Sequence, residues 1–368
     1  MKYILQVFTG SWHKPEVQPE NVIGKIDELS SRIGISRVII GWNTDASACR
    51  KIGAFLHGKG MEMLLWLPVF SESGTLAETD EAVDLFGNPA RTPAGQEAES
   101  FRFVCPSSPH NLQTVKDIYE TYFSGCGFDG VFLDRIRSQS FASGVSGVFS
   151  CGCERCRAAF LKKGVDPEKI RELYEEKEDA FFDLASWPMN GEFILEDPLA
   201  QRFFEVKEEI IADAAADLIR YFRSRGMTVG LDLFAPFVSR IVGQRYPLIA
   251  KDADFIKPML YRRTDAPAGI GYECAAFKKA APKAQGPAGI TTDRAFLDAQ
   301  LEAARRAPCR VCPGIEINHA DGIVETDAAY VTESLTAVRD HGFEEAVLCW
   351  NAIQAPETHI EAVAGMND

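Results

Sequence analysis

Short apolar segments alternate with longer amphipathic segments along most of the chain. Eight of the short segments are rich in Val, Ile, Leu and Phe, which is typical of strands buried on both faces of a parallel sheet. They lie at residues 3–9, 38–42, 63–69, 130–134, 228–234, 255–261, 311–317 and 346–350. The clearest helical patterns lie between them at 22–33, 46–57, 111–123, 198–223, 294–306 and 328–341. This alternation predicts an α/β protein with a single (β/α)8 TIM barrel over residues 1–368.

Two connections are longer than a bare barrel needs. Residues 71–109 follow the third predicted strand, and residues 138–197 follow the fourth and contain helical patterns of their own. Loops that follow the strands build the C-terminal face of a barrel, where the active sites of barrel enzymes lie. We therefore expect both insertions to shape the active site, and we expect 138–197 to form a lid or small subdomain rather than an independent domain.

Composition and charge narrow the class of protein. The chain is 46% hydrophobic and 25% charged, which is ordinary for a soluble globular protein, and its net charge of −14 disfavours binding to nucleic acid or to an anionic membrane. No apolar run reaches the roughly 18 residues of a membrane helix. The N-terminal residues read as a first strand rather than a secretory signal. We expect a cytoplasmic protein whose cysteines are mostly reduced or bound to metal. Assembly into a homo-oligomer is possible.

Three carboxylates fall at or near the carboxyl ends of predicted strands: Asp134, Asp232 and Glu316. An ionised carboxylate in an apolar strand is costly unless it is paired or near water, so three of them at a barrel mouth favour a functional role. Paired carboxylates are the equipment of glycoside hydrolysis, in which one acid protonates the leaving oxygen and the other attacks or activates water. The structural alternatives are an ion pair for Asp134 and a loop cap for Asp232.

Aromatic and polar residues occupy the neighbouring strand ends and are candidates for substrate binding. They are Trp42, Trp66, Arg135, Arg137, Tyr261, Arg262, Asn318, His319, Trp350 and Asn351. The aromatic rings are candidate platforms for a sugar, and the alternative is that they belong to the core or rim. The arginines match anionic groups such as a uronate or sulfate, and the alternative is that they neutralise the acids of the site itself.

Cysteines cluster after the fourth predicted strand. Cys151, Cys153 and Cys156 lie within six residues, a spacing that can place three sulfurs around one tetrahedral ion. Cys105, in the preceding insertion, is the best candidate for a fourth ligand because it lies on the same face. Four cysteine ligands leave no open position, so we predict a structural zinc ion that joins the two insertions. The alternative is a set of reduced surface thiols, which would be liable to oxidation.

The region from Cys105 to Phe160 resembles glycoside hydrolase family 42 β-galactosidases. The resemblance rests on Cys105-Pro-Ser-Ser-Pro109, the carboxylate of the fourth strand, and the three cysteines ahead of Arg157-Ala-Ala-Phe160. It implies a (β/α)8 barrel with a four-cysteine zinc site, and it maps the nucleophile of that family onto Glu316. The chain departs from the family at the end of the fourth strand, where Leu133-Asp134-Arg135 stands in place of Asn-Glu.

A second resemblance covers more of the chain. The segments GFDGVFLDRIR and DFIKPMLYRR, at the fourth and sixth predicted strands, are similar to those of uncharacterised glycoside-hydrolase-like barrels related to amylase-type enzymes. This resemblance implies that Asp134 is the nucleophile and that Asp232 is a candidate acid. The two resemblances agree on the fold and on the importance of Asp134, and they differ on its role and its partner.

The sequence therefore predicts a glycosidase that acts on a short oligosaccharide or glycoside. Asp134 and Glu316 are the leading catalytic pair, with Asp232 as the rival partner. Two other classes stay open: a carbohydrate-binding barrel that has lost catalysis, and a lyase or isomerase on the same fold.

Overall fold

The computed structural model describes residues 1–89, 102–186, 193–286 and 290–367, and in it eight parallel strands close into a barrel. The strands, numbered β1 to β8, are Lys2–Val7, Ile35–Ile40, Glu62–Pro68, Gly130–Asp134, Thr228–Phe234, Phe255–Met259, the interrupted Arg310–Val311 and Gly314–Glu316, and Glu345–Cys349. Each strand pairs with the next along the chain, and β8 pairs with β1, which closes the sheet. This architecture confirms the predicted (β/α)8 barrel.

Helices follow the strands and cover the outside of the barrel. Numbered α1 to α13, they are Pro19–Ser30, Ala46–Gly58, Pro109–Ile118, Gly144–Val148, Glu154–Lys162, Pro167–Lys177, Pro198–Arg223, Pro236–Ser239, Tyr246–Ile249, Ile270–Ala280, Arg294–Ala304, Ala328–Asp340 and Glu357–Ala364. Several begin at a side chain that accepts hydrogen bonds from backbone N–H groups of the first turn, such as Asp45, Ser108 and Asp197. None of the described helices combines the length and apolar character needed to cross a bilayer.

Long connections follow β3 and β4. The first contains a short 3-10 helix at Ser73–Thr75, and the second contains α4, α5, α6 and a small hairpin formed by Leu184–Ser186 and Ile194–Leu195. Residues 90–101 and 187–192 of the two predicted insertions lie outside the described residues. Buried phenylalanines pack the second connection against α7: Phe141, Phe149, Phe181, Phe182 and Phe203.

Strand register brings three polar side chains to neighbouring positions near the carboxyl ends of the strands. Leu133 of β4 pairs with Leu231 of β5, so the next residues, Asp134 and Asp232, are also neighbours. Asp232 in turn pairs with Lys257 of β6. Three adjacent strands therefore carry a carboxylate, a carboxylate and an ammonium side by side.

Candidate active site

A cavity of about 450 Å³ opens at the carboxyl ends of the strands. Nine of the residues proposed from the sequence for catalysis or substrate binding line it: Trp42, Trp66, Asp134, Arg135, Arg137, Asp232, Tyr261, Trp350 and Asn351. Sequence reasoning did not select the other lining residues, which are Gln6, Phe8, Phe234, Met259, Thr264, Ala266, Pro267, Ala268, Ile323 and Gln354. Several of these lie in loops, and the position of a loop depends on the fold. Phe8 and Phe234 lie at strand ends, and that placement is the signal that could have pointed to them.

Asp134 is at the end of β4 with 8% of its surface exposed. Its Oδ2 accepts a hydrogen bond from Trp66 Nε1 at 2.8 Å, and its Oδ1 accepts one from the backbone N–H of Arg135 at 2.5 Å. Arg135 has a φ of 52°, a left-handed conformation that is uncommon outside glycine and that clusters at functional sites. Two N–H donors therefore orient the Asp134 carboxylate at the cavity wall.

Asp232 is more deeply buried, with 2% of its surface exposed. Its Oδ2 accepts a hydrogen bond from Lys257 Nζ at 3.0 Å, whereas its Oδ1 has no hydrogen-bond partner among the described residues. Burial raises the pKa of Asp232 to about 7; the charge of Lys257 opposes this shift and the charge of Asp134 adds to it. Asp232 can therefore hold a proton near neutral pH, as a general acid must.

Lys257 is a fully buried residue beside the cavity that sequence reasoning missed. Its Nζ donates hydrogen bonds to Gln6 Oε1 at 3.0 Å, Asp232 Oδ2 at 3.0 Å and Tyr261 OH at 2.7 Å. Burial by itself lowers the pKa of Lys257, but the neighbouring charges, above all that of Asp232, outweigh it and the net direction is upward. The available signal was a lysine in the middle of the apolar strand Phe255–Met259, because a buried ammonium requires partners.

Aromatic rings form one wall of the cavity. The rings of Trp42 and Trp66 lie 5.1 Å apart at an interplanar angle of 87°, and Phe8 packs against Trp42 with 5.1 Å between the ring centroids. The buried Trp42 Nε1 has no hydrogen-bond partner among the described residues. The wall thus combines apolar ring surface with one N–H group, which could donate a hydrogen bond to a hydroxyl group of a bound molecule.

Two arginines line the cavity, and both have protein partners. Arg135 pairs with Glu72 at 3.2 Å. The guanidinium of Arg137 lies 4.5 Å from the ring centroid of Phe234 and 5.0 Å from that of Phe103. Both cations are therefore integrated into the walls of a site that also contains two carboxylates.

Glu316 does not line the cavity. It has no exposed surface, and its carboxylate accepts hydrogen bonds from the Arg263 backbone N–H at 2.5 Å, Thr264 Oγ1 at 2.9 Å and Tyr330 OH at 2.8 Å. Burial raises its pKa to about 7, and these hydrogen bonds oppose the shift. The carboxylate connects β7 to the loop after β6 and to α12, so Asp232 rather than Glu316 stands beside Asp134.

Three further candidates for substrate binding also lie away from the cavity. Arg262 pairs with Glu333 at 2.7 Å, and His319 is an exposed loop residue whose Nδ1 lies 2.9 Å from a backbone carbonyl oxygen. Asn318 accepts hydrogen bonds from the backbone N–H groups of Trp350 and Asn351. It therefore positions two residues that line the cavity, although it does not line the cavity itself.

The four predicted cysteines form one cluster, and their sulfur atoms all lie within 4.8 Å of one another. The Cys105 Sγ lies 3.4 Å from that of Cys153 and 3.5 Å from that of Cys156. A tetrahedral zinc ion with bonds of about 2.3 Å to sulfur separates its sulfur ligands by about 3.8 Å, which fits this spacing. The cluster is therefore close enough to bind a metal ion, and it joins the connection after β3 to the connection after β4.

Several solved structures match the fold of this chain over nearly its whole length. The glycoside hydrolase domain of PgaB (BpsB) from Bordetella bronchiseptica matches with a TM-score of 0.66 and 16% identity, covering 98% of this chain and 97% of that one. The α-L-fucosidase isoenzyme 2 from Paenibacillus thiaminolyticus matches with a TM-score of 0.54 and 11% identity, covering 99% and 48%. A C-terminal domain described as that of a "putative chitinase" from Desulfitobacterium hafniense DCB-2 matches with a TM-score of 0.51 and 11% identity, covering 99% and 98%. At these identities the matches establish the fold alone.

Sequence comparisons do not extend this result. No family model matches the chain, and no curated protein matches it. The resemblance to family 42 β-galactosidases in the cysteine region is therefore not supported, whereas the resemblance to glycoside-hydrolase-type barrels agrees with the fold of the matching structures.

Proposed function

We propose that this protein is a glycoside hydrolase that cleaves a short oligosaccharide or glycoside, with Asp134 and Asp232 as its two carboxylates. The observation that carries the proposal is Asp232, whose pKa of about 7 and unpartnered Oδ1 suit a proton donor, beside an Asp134 carboxylate held by two N–H donors. The descriptions of two matching structures as a glycoside hydrolase domain and an α-L-fucosidase support the same class.

The mechanism assigns one task to each carboxylate. Protonated Asp232 donates its proton to the glycosidic oxygen, so that the bond from this oxygen to the anomeric carbon breaks and the alcohol leaves. The Asp134 carboxylate stabilises the positive charge that develops at the anomeric carbon. The stereochemistry of the product distinguishes two further roles for Asp134. Retention at the anomeric carbon identifies Asp134 as the nucleophile, and inversion identifies it as the base that activates water.

Neutral sugars fit the cavity better than acidic ones. Arg135 is paired with Glu72, and Arg137 lies beside a site that contains two carboxylates, so both cations have compensating groups within the protein. Arg262, which the anionic hypothesis also invoked, pairs with Glu333 away from the cavity. We therefore expect turnover of neutral aryl-glycosides at rates equal to or above those of uronic aryl-glycosides.

The two other classes of protein, a carbohydrate-binding barrel without catalysis and a lyase or isomerase, require different properties of these residues. A barrel that only binds carbohydrate has no need of a buried acid with a raised pKa and an unpartnered oxygen. A lyase that acts through a Schiff base needs a lysine amine that is free to attack, whereas Lys257 donates three hydrogen bonds and its pKa is raised. Both observations favour hydrolysis.

A panel of α- and β-aryl-glycosides, neutral and acidic, tests the proposal. Asp134→Asn and Asp232→Asn should each abolish turnover in a folded protein, and Glu316→Gln is the matched control because it changes a buried carboxyl outside the cavity. Loss of turnover with Glu316→Gln but not with Asp232→Asn would refute the pairing. Hydrolysis would be refuted if the wild type binds a sugar but forms no product. It would also be refuted if the mass of the products shows that no water was added.

We also propose that Cys105, Cys151, Cys153 and Cys156 bind a structural zinc ion. Four thiolates saturate the coordination of Zn²⁺, so the ion would supply a cross-link between two connections rather than a reactive water. Metal analysis of protein purified without added metal tests this proposal, with one equivalent of zinc as the expected result and iron as the alternative.

A further inference from the structure

A buried lysine on α7 lies beside the cysteine cluster. Lys207 is only 4% exposed, and it lines the same small cavity as Cys151 and Cys156. Its Nζ donates to the carbonyl oxygen of Val148, which is its only hydrogen bond to a described residue. An ammonium group has three N–H donors, and burial of a charge is costly unless a compensating charge is close.

The charged residues nearby do not compensate Lys207, because they pair with one another. Glu208, the adjacent acid on α7, is paired with Arg240 at 2.6 Å. Glu168 is paired with Arg157, which directly follows Cys156. No described carboxylate forms a salt bridge with Lys207, so the ammonium lacks a carboxylate counter-ion.

A metal-bound cluster would supply the missing charge. Zn²⁺ with four thiolates has a net charge of −2, whereas four protonated thiols have none. Besides the carbonyl of Val148, Lys207 Nζ faces the rings of Phe203 and Phe204, with 5.7 Å and 5.3 Å to the ring centroids, and neither contact supplies a full negative charge. A metal–tetrathiolate centre next to Lys207, in the cavity that it shares with Cys151 and Cys156, would supply that charge, whereas four thiols would not. Outer-sphere groups of this kind tune both the orientation of the ligands and the affinity for the metal.

We propose that Lys207 is the counter-cation of the four-cysteine metal centre, and that it strengthens metal binding by halving the net charge of the buried centre from −2 to −1. This inference rests on the proposed metal site and goes beyond it, because it assigns a function to a residue that is not a ligand. Lys207 is a positioning and charge-compensating residue, remote from the proposed chemistry of Asp134 and Asp232.

Competition with a chromophoric chelator, on the full-length protein at one pH, measures the zinc affinity directly. We expect Lys207→Met to weaken zinc binding about ten- to hundred-fold, the range typical of outer-shell changes, and Lys207→Arg to stay closer to wild type because it keeps the charge. Lys163→Met is the matched control, since Lys163, which directly follows α5, forms partly exposed pairs with Glu209 and Asp213 of α7. It should leave the zinc affinity unchanged.

The outcomes separate the two proposals. Equal zinc affinity in wild type and Lys207→Met would overturn the role of Lys207 and leave the metal site intact. A wild type that binds no zinc, iron or cobalt would overturn both. Should Lys207→Met fail to fold by circular dichroism, Lys207→Gln and Lys207→Arg provide the same comparison of an uncharged with a charged side chain.

Discussion

Lys257 donates a hydrogen bond to Oδ2 of Asp232 at 3.0 Å, and both side chains are buried beside the cavity. The pairing leaves the second oxygen of Asp232 without a partner among the described residues. Lys257 therefore fixes the orientation of the carboxyl group and limits how far burial can raise its pKa. The same ammonium also contacts Gln6 of β1 and Tyr261, so the position of Asp232 depends on three strands or strand ends.

The pH dependence of turnover tests this control. A general acid must be protonated, and the pKa of Asp232 is about 7, so kcat/KM should fall as the pH rises through about 7. Lys257→Met removes a cation that lowers this pKa, so the descending limb should move to higher pH. Tyr261→Phe keeps the cation and should move the limb much less. A limb that stays in place or moves to lower pH in Lys257→Met would contradict the assignment of Asp232.

Trp66 should contribute to catalysis through its N–H group. Trp66→Phe removes the hydrogen bond to Asp134 Oδ2 and keeps much of the aromatic surface. A hydrogen bond to a charged group contributes about 1.5–3 kcal/mol, so kcat/KM should fall about ten- to hundred-fold. Trp42→Phe is the comparison, because Trp42 Nε1 has no described protein partner and its loss should act mainly on KM. Equal effects on kcat in both variants would argue against a specific role for the Trp66 N–H.

Glu316→Gln should change the pH dependence of stability. The folded protein retains the Glu316 proton up to a pH of about 7, whereas the unfolded chain releases it near pH 4.3. Wild-type stability should therefore decline relative to the variant as the pH rises through this window, by up to about 4 kcal/mol. Glutamine mimics the protonated carboxyl, since its oxygen can accept from Arg263 and Tyr330 while its amide donates to Thr264. Denaturant unfolding at pH 5 and pH 8 measures the difference, and parallel behaviour of the two proteins would refute it.

Removal of a metal ligand should loosen the connections after β3 and β4. Cys153→Ser should lower Tm by about 5 °C or more and abolish stoichiometric metal content, because a structural metal contributes directly to folding stability. Cys274→Ser, a change at a partly buried cysteine outside the cluster, should leave the metal content unchanged. Retention of metal in Cys153→Ser would show that the cluster is not the binding site.

Much of the barrel could be predicted because strands buried on both faces have a simple apolar pattern. The predicted strands at 130–134 and 228–234 coincide with Gly130–Asp134 and Thr228–Phe234, and the predicted helix at 198–223 coincides with Pro198–Arg223. The seventh strand differs, because it is interrupted between Val311 and Gly314. Pro313 stands at the interruption, where its missing N–H group removes a ladder donor.

The candidate site was harder to predict, because it depends on where side chains point. Strand-end position pointed to Asp134 and Asp232, which line the cavity, but it ranked Glu316 above Asp232 as the partner of Asp134. Glu316 is directed instead to hydrogen bonds with Thr264 and Tyr330. The contribution of Lys257 depends on the register between β5 and β6. That register is a property of the closed sheet and not of any single segment.

The aromatic wall also makes tryptophan fluorescence a direct measure of binding in the cavity. Of the five tryptophans in the chain, Trp42, Trp66 and Trp350 line the cavity, and Trp12 lies 6.3 Å from Trp42. Four of the five tryptophans therefore lie at one face of the barrel, and the indole of Trp66 is hydrogen-bonded to Asp134. A sugar that enters the cavity changes the surroundings of these indoles directly. Titration of unlabelled protein can thus rank ligands by emission alone, including compounds that bind the cavity without being cleaved.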